Sequence, residues 1–331
     1  MTIHDFMLDT EKMVSEHFES KGLGDIKISQ CEIVKLNDET LHGLNLTPEG
    51  QRAGWTLYFD DLYGRYENDE SPEALFEEAA LRCEEVLDYE LPAEPESLDL
   101  RFESIKDRLT VRLIGVRKNM RYMKGRPYID VGCGLALISV INSERNVTSE
   151  WALSVTDELL RNEIRCGREE LLTAALDNTV RIEPPVLTTL SECVYSNYVR
   201  RFRVNNYLEE TTDRPEDVKA AFMLTNKSAF FGSAVLFYPG VMEKIASVFG
   251  CGYYVLPSSI HEVMIIPDAA GPDVPGMFHT VHEANTTVVD HCDLLSDDIF
   301  HYDPETCGLK IVREKPEGSV RDRPRRGKCI A

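Results

Sequence analysis

The sequence predicts an α+β protein, with clustered helices and largely antiparallel sheets in two or three regions. Three observations lead there. Runs with strand periodicity lie next to one another and are not each followed by a helix, as a βαβ chain would require. Helical-period segments are grouped in the same way. Two polar stretches, Leu91–Leu100 and Glu192–Ala220, separate three apolar regions.

The elements follow in order. Phe6, Met7, Met13, Val14 and Phe18 recur at helical spacing and Gly22 and Gly24 stop the pattern, which predicts a helix over 5–20. Alternation from Ile26 to Leu36 predicts a strand; LHGLNLTPEG a strand ending in a turn; GWTLYFDDLYGRY a strand and a short helix. Ser71 as N-cap and Pro72 at the first helical position open a helix to about Leu87.

The middle region reads as strands at Thr110–Asn119, Tyr128–Ile141 and Glu150–Val155. Two helices follow, TDELLRNEI capped by Thr156 or Asp157 and REELLTAALDN, and Glu183-Pro184-Pro185 ends the run. Glu192–Ala220 reads as a linker with partial helix. Beyond it, AAFMLTN and SAVLFY read as strands, PGVMEKIASVFG as a helix closed by Gly250, and GYYVLP and HEVMIIPD as strands around Pro257-Ser258-Ser259. A helix over Met277–Asn285 and a hairpin turning at Asp303-Pro304 and Gly308 complete the third region. The expected division is 1–90, 98–195 and 220–312, with a basic flexible tail over 313–331.

A chain of 331 residues that is 43% hydrophobic has ample material for a core, and a formal charge of −21 opposes nucleic acid and anionic lipid alike. Asp5, Asp9 and Glu11 precede any apolar run, and no stretch approaches the roughly 18 apolar residues of a span. Nine cysteines with no C-x-x-C pair read as free thiols in a reducing compartment. The expectation is a cytoplasmic protein with no cofactor and no membrane, whose partners are proteins.

Three constellations carry possible chemistry. Asp130-Val131-Gly132-Cys133-Gly134 is spelled like the glycine turn of S-adenosylmethionine-dependent methyltransferases, with Asp157 as the acid for the ribose. Ala136 replaces the third glycine, and β-branched residues follow where a helix should begin. Small residues letting a strand pack closely are the preferred reading.

Ser258, Ser259, His261 and Glu262 supply hydroxyl, imidazole and carboxylate within five residues, as nucleophilic catalysis needs. In an extended segment Ser259 and His261 share one face while Ser258 and Glu262 share the other, so a third acid must come from elsewhere. The alternative is a Pro-Ser-Ser turn followed by a buried strand. His279, His282 and Glu283 on one helix, with Asp290, His291, Cys292 and His301 downstream, could hold zinc. The order H-x-x-H-E nonetheless departs from metallohydrolase helices, and a solvated face is preferred.

Met223–Asp268, followed by EANTTV and LLSDDIFHYD, resembles the bacterial family called domain of unknown function 5688, seen in Firmicutes. LHGLNL, TLYFDDLYGRY, IKDRLTVRLI and the span from YID to LDN resemble its N-terminal portions. The resemblance implies no activity or ligand. It covers Ser258, Ser259, His261 and Glu262, and leaves out His279 and His282. The leading expectation is a non-enzymatic interaction or regulatory protein; the alternatives are a hydrolase-like enzyme at Ser259, His261 and Glu262, the methyltransferase, and an acidic DNA mimic.

Overall fold

The computed structural model describes residues 1–51, 54–89, 99–143, 152–198, 204–210, 212, 214, 215 and 217–313. Helix α1 (Ile3–Lys21) is fixed at its start by a reciprocal capping box between Thr2 and Asp5, and at its end by Gly22 at φ 75°. Strands β1 (Ile26–Val34), β2 (Thr40–Pro48) and β3 (Trp55–Tyr58) form an antiparallel sheet in that order. Helices α2 (Asp60–Glu67) and α3 (Pro72–Glu85) follow; the Ser71 hydroxyl bonds Glu73 and does not cap α3. Phe6, Met7, Val14 and Phe18 of α1 meet Leu44 and Leu46 of β2 and Leu75, Phe76, Ala79 and Cys83 of α3 in one core. Burial pushes the Cys83 thiol up to about 12, which makes it an inert packing group.

The middle region opens with α4 (Phe102–Ile105) and β4 (Leu109–Gly115), then β5 (Tyr128–Gly132), β6 (Leu135–Asn142) and β7 (Ala152–Ser154). β6 is central, with β4 on one side and β5 and β7 on the other, all antiparallel. The α5 turn (Asp157–Leu159), capped by Thr156, leads into one π turn, and α6 (Arg168–Ile182) follows. α6 ends at Glu183. β8 (Pro185–Thr189) begins two residues later with a proline at a sheet edge, where a missing N–H costs no ladder bond.

The last region contains α7 (Leu190–Tyr198), β9 (Phe222–Asn226), α8 (Val241–Phe249), β10 (Tyr253–Leu256), β11 (Val263–Pro267), α9 (Val274–Thr287), β12 (Ile299–Asp303) and β13 (Gly308–Val312). Its six-stranded sheet has the order β13-β12-β10-β11-β9-β8, with every neighbour antiparallel. Alternate strand residues divide between two faces. Tyr253, Val255, Val263, Ile265, Phe300 and Tyr302 enter the main core, while Leu256 and Ile299, with Met264 and Ile266 packed against them, meet Met277 and Val281 of α9.

The structure departs from the sequence reading in several places, beginning with Tyr128–Ile141, which reads as one strand in the sequence and is the antiparallel β5–β6 hairpin. SAVLFY lies in a 3₁₀ helix, Gly232–Phe237, because β9 already has β8 and β11 on its two edges and offers the run no strand to pair with. β8, in the stretch assigned to the middle region, pairs with β9 in the last sheet. One core contains Leu109, Leu137 and Leu171 together with Leu224, Ile265 and Phe300. Within the expected linker, Asn206 accepts from Leu187 N (3.0 Å) and donates to Pro185 O (2.9 Å), so a side chain serves as a strand partner at the sheet edge.

Candidate functional site

The Pro257–Glu262 segment joins β10 to β11 as an irregular connection in place of a tight turn. Leu295 N donates to Ser258 O (3.1 Å), Ser296 N to Pro257 O (3.1 Å) and Ile260 N to Asp293 O (2.9 Å), which lays the connection against residues 293–296. On its other side Ser233 donates to Ile260 O through both its backbone N–H (3.2 Å) and its hydroxyl (2.7 Å). Gly232 is needed there: an added Cβ would stand 2.6 Å from His261 O and 2.2 Å from Thr225 Oγ1.

Ser259 is buried, and its Oγ accepts from its neighbour's backbone, His261 N, at 2.9 Å. This is the turn that a serine makes when it replaces a missing backbone partner. The His261 ring stacks on Phe230 (centroids 5.3 Å apart) and lies against Phe231 (5.4 Å). Its Nδ1 accepts from Phe231 N at 3.2 Å. That bond assigns the ring proton to Nε2, which faces Asp293 Oδ2 at 3.4 Å. Asp293, not Glu262, is therefore the acid beside the imidazole. Ser258 and Glu262 are partly buried on either side of this turn.

Behind His261, the Arg112 guanidinium of β4 lies over the Phe231 ring at 3.7 Å. Desolvation lowers the Arg112 pKa to about 10, and among the described residues no carboxylate pairs with it, so the aromatic face supplies its compensation. Phe231 itself has φ 52° and Ala229 φ 54°, a left-handed strain held by the surrounding bonds. Arg112, Phe231 and Asp293 were missed from the sequence, since each lies far along the chain from His261.

A second buried knot joins the three regions. Asn37 N donates to Asn119 Oδ1 (2.7 Å), and Asn119 Nδ2 donates to Asn37 Oδ1 (3.0 Å) and Gly115 O (2.9 Å). Asn37 Nδ2 completes it on His291 O (2.6 Å) and Leu294 O (2.9 Å). The only trace in the sequence is the Asn37-Asp38 pair, residue types that tolerate the left-handed values observed, 58° and 55°.

The glycine pattern forms a different object from the strand, turn and helix of a methyltransferase. Gly132, Cys133 and Gly134, at φ 82°, 54° and 73°, are the loop of the β5–β6 hairpin, and Asp130 Oδ1 accepts from Gly132 N at 2.9 Å. A strand follows them, so no helix N-terminus is presented to a cofactor. Asp157 is held by Arg168 at 2.5 Å at the start of α5. His279, His282 and Glu283 lie exposed on α9, while His301 pairs with Asp268 at 3.0 Å. Among the described residues no three His, Cys, Asp or Glu side chains converge as metal ligands.

Clefts among the described residues lie elsewhere. One of 670 Å³ is lined by Thr189, Glu192, Asn205, Tyr207 and Arg214, among others, and its floor is organised by Glu192, which accepts from Thr188, Thr189 and Asn205. Another of 380 Å³ runs between α1 and β1–β2, where His42 Nδ1 meets Asp60 Oδ1 at 2.8 Å. The same carboxylate accepts from His42 N, so this pair ties β2 to the first turn of α2.

Three antiparallel sheets, with helices packed on them and a polar knot at their junction, define an α+β protein. No helix among the described residues is long and apolar enough to cross a membrane. Residues 3–304 match the model of a family of unknown function (DUF5688), and the chain belongs to that family. Neither curated proteins nor solved structures give a match.

Proposed function

We propose that this is a non-enzymatic binding protein of the bacterial cytoplasm that recognises other proteins through its surface. The observation that carries the reading is the state of His261: one ring nitrogen accepts from Phe231 N and the other faces Asp293, so neither is directed to the Ser259 hydroxyl. Ser259 Oγ is occupied by a backbone N–H and buried, without the attack geometry of a nucleophile. Free thiols at all eight described cysteines support a reducing compartment.

The test is covalent. A fluorophosphonate probe should leave the intact mass of the protein unchanged. An adduct mapped to Ser259 and abolished by His261→Ala would replace this reading with the hydrolase.

A further inference from the structure

Between Asp107 and Asp130 the sequence has no acidic residue and seven cations: Arg108, Arg112, Arg117, Lys118, Arg121, Lys124 and Arg126. In a chain of formal charge −21 this is a local reversal of sign. The centre of the stretch is a short helical knuckle. Asn119 N bonds Val116 O (3.1 Å), Met123 N bonds Asn119 O (2.8 Å) and Lys124 N bonds Arg121 O (3.2 Å).

The knuckle is fastened from inside. Asn119 belongs to the buried knot, Tyr122 and Met123 pack with Ile114, Ala136 and Ile138, and Asp38 accepts from the backbone of Arg121 (2.9 Å) and Tyr122 (2.8 Å). Arg117, Met120, Arg121 and Lys124 remain exposed along the 3₁₀ turn Arg117–Asn119 and the turns that follow it. Met120 is 69% exposed at its centre. Lys118 pairs with Asp297 at 2.9 Å and Arg121 leans toward Glu32 at 3.5 Å; Arg117 lines one small cleft with Lys118, Asp297 and Asp298, and among the described residues neither it nor Lys124 has a carboxylate within 4.0 Å.

We propose that this face is a docking surface for a short acidic segment of another protein that carries an apolar residue to cover Met120. The inference rests on the reading of the chain as a binding protein and names the class of its partner. Charge complementarity decides for an acidic segment. A long polyanion such as nucleic acid extends beyond the few cations of the knuckle and meets a negatively charged molecule. A short segment needs only the knuckle, and a soft methionine adapts to varied apolar side chains. The fastened backbone presents the cations without a backbone ordering cost on binding, leaving only the side chains to be ordered.

The experiment uses the full chain and a fluorescein-labelled peptide of glutamates with two central leucines, read by anisotropy. Saturable binding that weakens with salt is expected, about tenfold weaker in R117E/K124E and about threefold weaker in Met120→Ala. The control K27E/K244E should bind as the wild type does. All variants alter exposed side chains and should melt as the wild type does. Equal peptide binding by R117E/K124E, or tighter binding of oligothymidylate or of phosphatidylserine vesicles than of the peptide, overturns the proposal. A Ser259 adduct in the covalent test would remove the functional reading while leaving a positive peptide result in place, so the two failures are distinguishable.

Discussion

Single side chains hold the junction together. Replacing Asn119 with alanine removes three hydrogen bonds and leaves Asn37 N–H, Asn37 Oδ1 and Gly115 O short of partners where little water reaches. Each orphaned buried group costs about 1–3 kcal/mol, so Asn119→Ala should lose about 3 kcal/mol in urea unfolding. A loss below about 1 kcal/mol would mean that water replaces the amide without penalty. Arg112 shows the same economy with charge: a guanidinium at an aromatic face is compensated without a carboxylate, which is why no acid near it in sequence announced its position. His261 was legible as a residue of interest, but its partners Phe231, Asp293 and Arg112 come from three other segments, and the function of an imidazole is set by partners.

At the scale of elements, α1 and α3 are joined through one carboxylate: His17 Nε2 lies 2.6 Å and Lys21 Nζ 3.0 Å from Glu84. These hydrogen bonds, His17 first and Lys21 second, hold Glu84 below the ordinary glutamate value. A carboxylate whose pKa is depressed by folding stabilises the fold above the unfolded value and loses that contribution as the pH falls through the lowered one. The melting temperature of the wild type should therefore fall more steeply than that of Glu84→Gln below about pH 4.3. Parallel acid limbs would show that the bridge has no net effect. Elements with their own signals were legible. α8 carries an apolar face and Gly250 at φ 73° just past its end, and the β12–β13 hairpin carries its turn residues. The apolar run 232–237 was not, because a run buried on every side has no periodicity to separate strand from helix, and the outcome depends on which sheet edges are free. β8 was hidden for another reason: Pro184-Pro185 marks a helix end and here also begins an edge strand.

The whole molecule carries a formal charge of −21, so like charges repel across a compact body and salt should relieve the strain. Raising sodium chloride from about 0.01 to about 0.3 M is expected to raise the melting temperature by a few degrees. A fall would place the balance on attractive pairs such as Arg65 with Glu70 and Glu78. The α+β class and the separate N-terminal core were readable from patterning, because a core closed by neighbouring elements leaves its period in the local sequence. The larger core left no such trace, since it draws on residues from Ile105 to Tyr302.

That shared core gives the chain a history on the ribosome. The N-terminal core is made of residues up to Cys83 and can close early. The apolar faces of β4 and β6 are complete in sequence by Ile141, yet the cluster that buries them includes Phe300 and Tyr302. At about 5–20 residues per second, the interval between the two is about ten to thirty seconds. Throughout that interval a nascent chain carries an unfinished sheet, whose apolar face and open edges stay exposed to aggregation until the last strands are made.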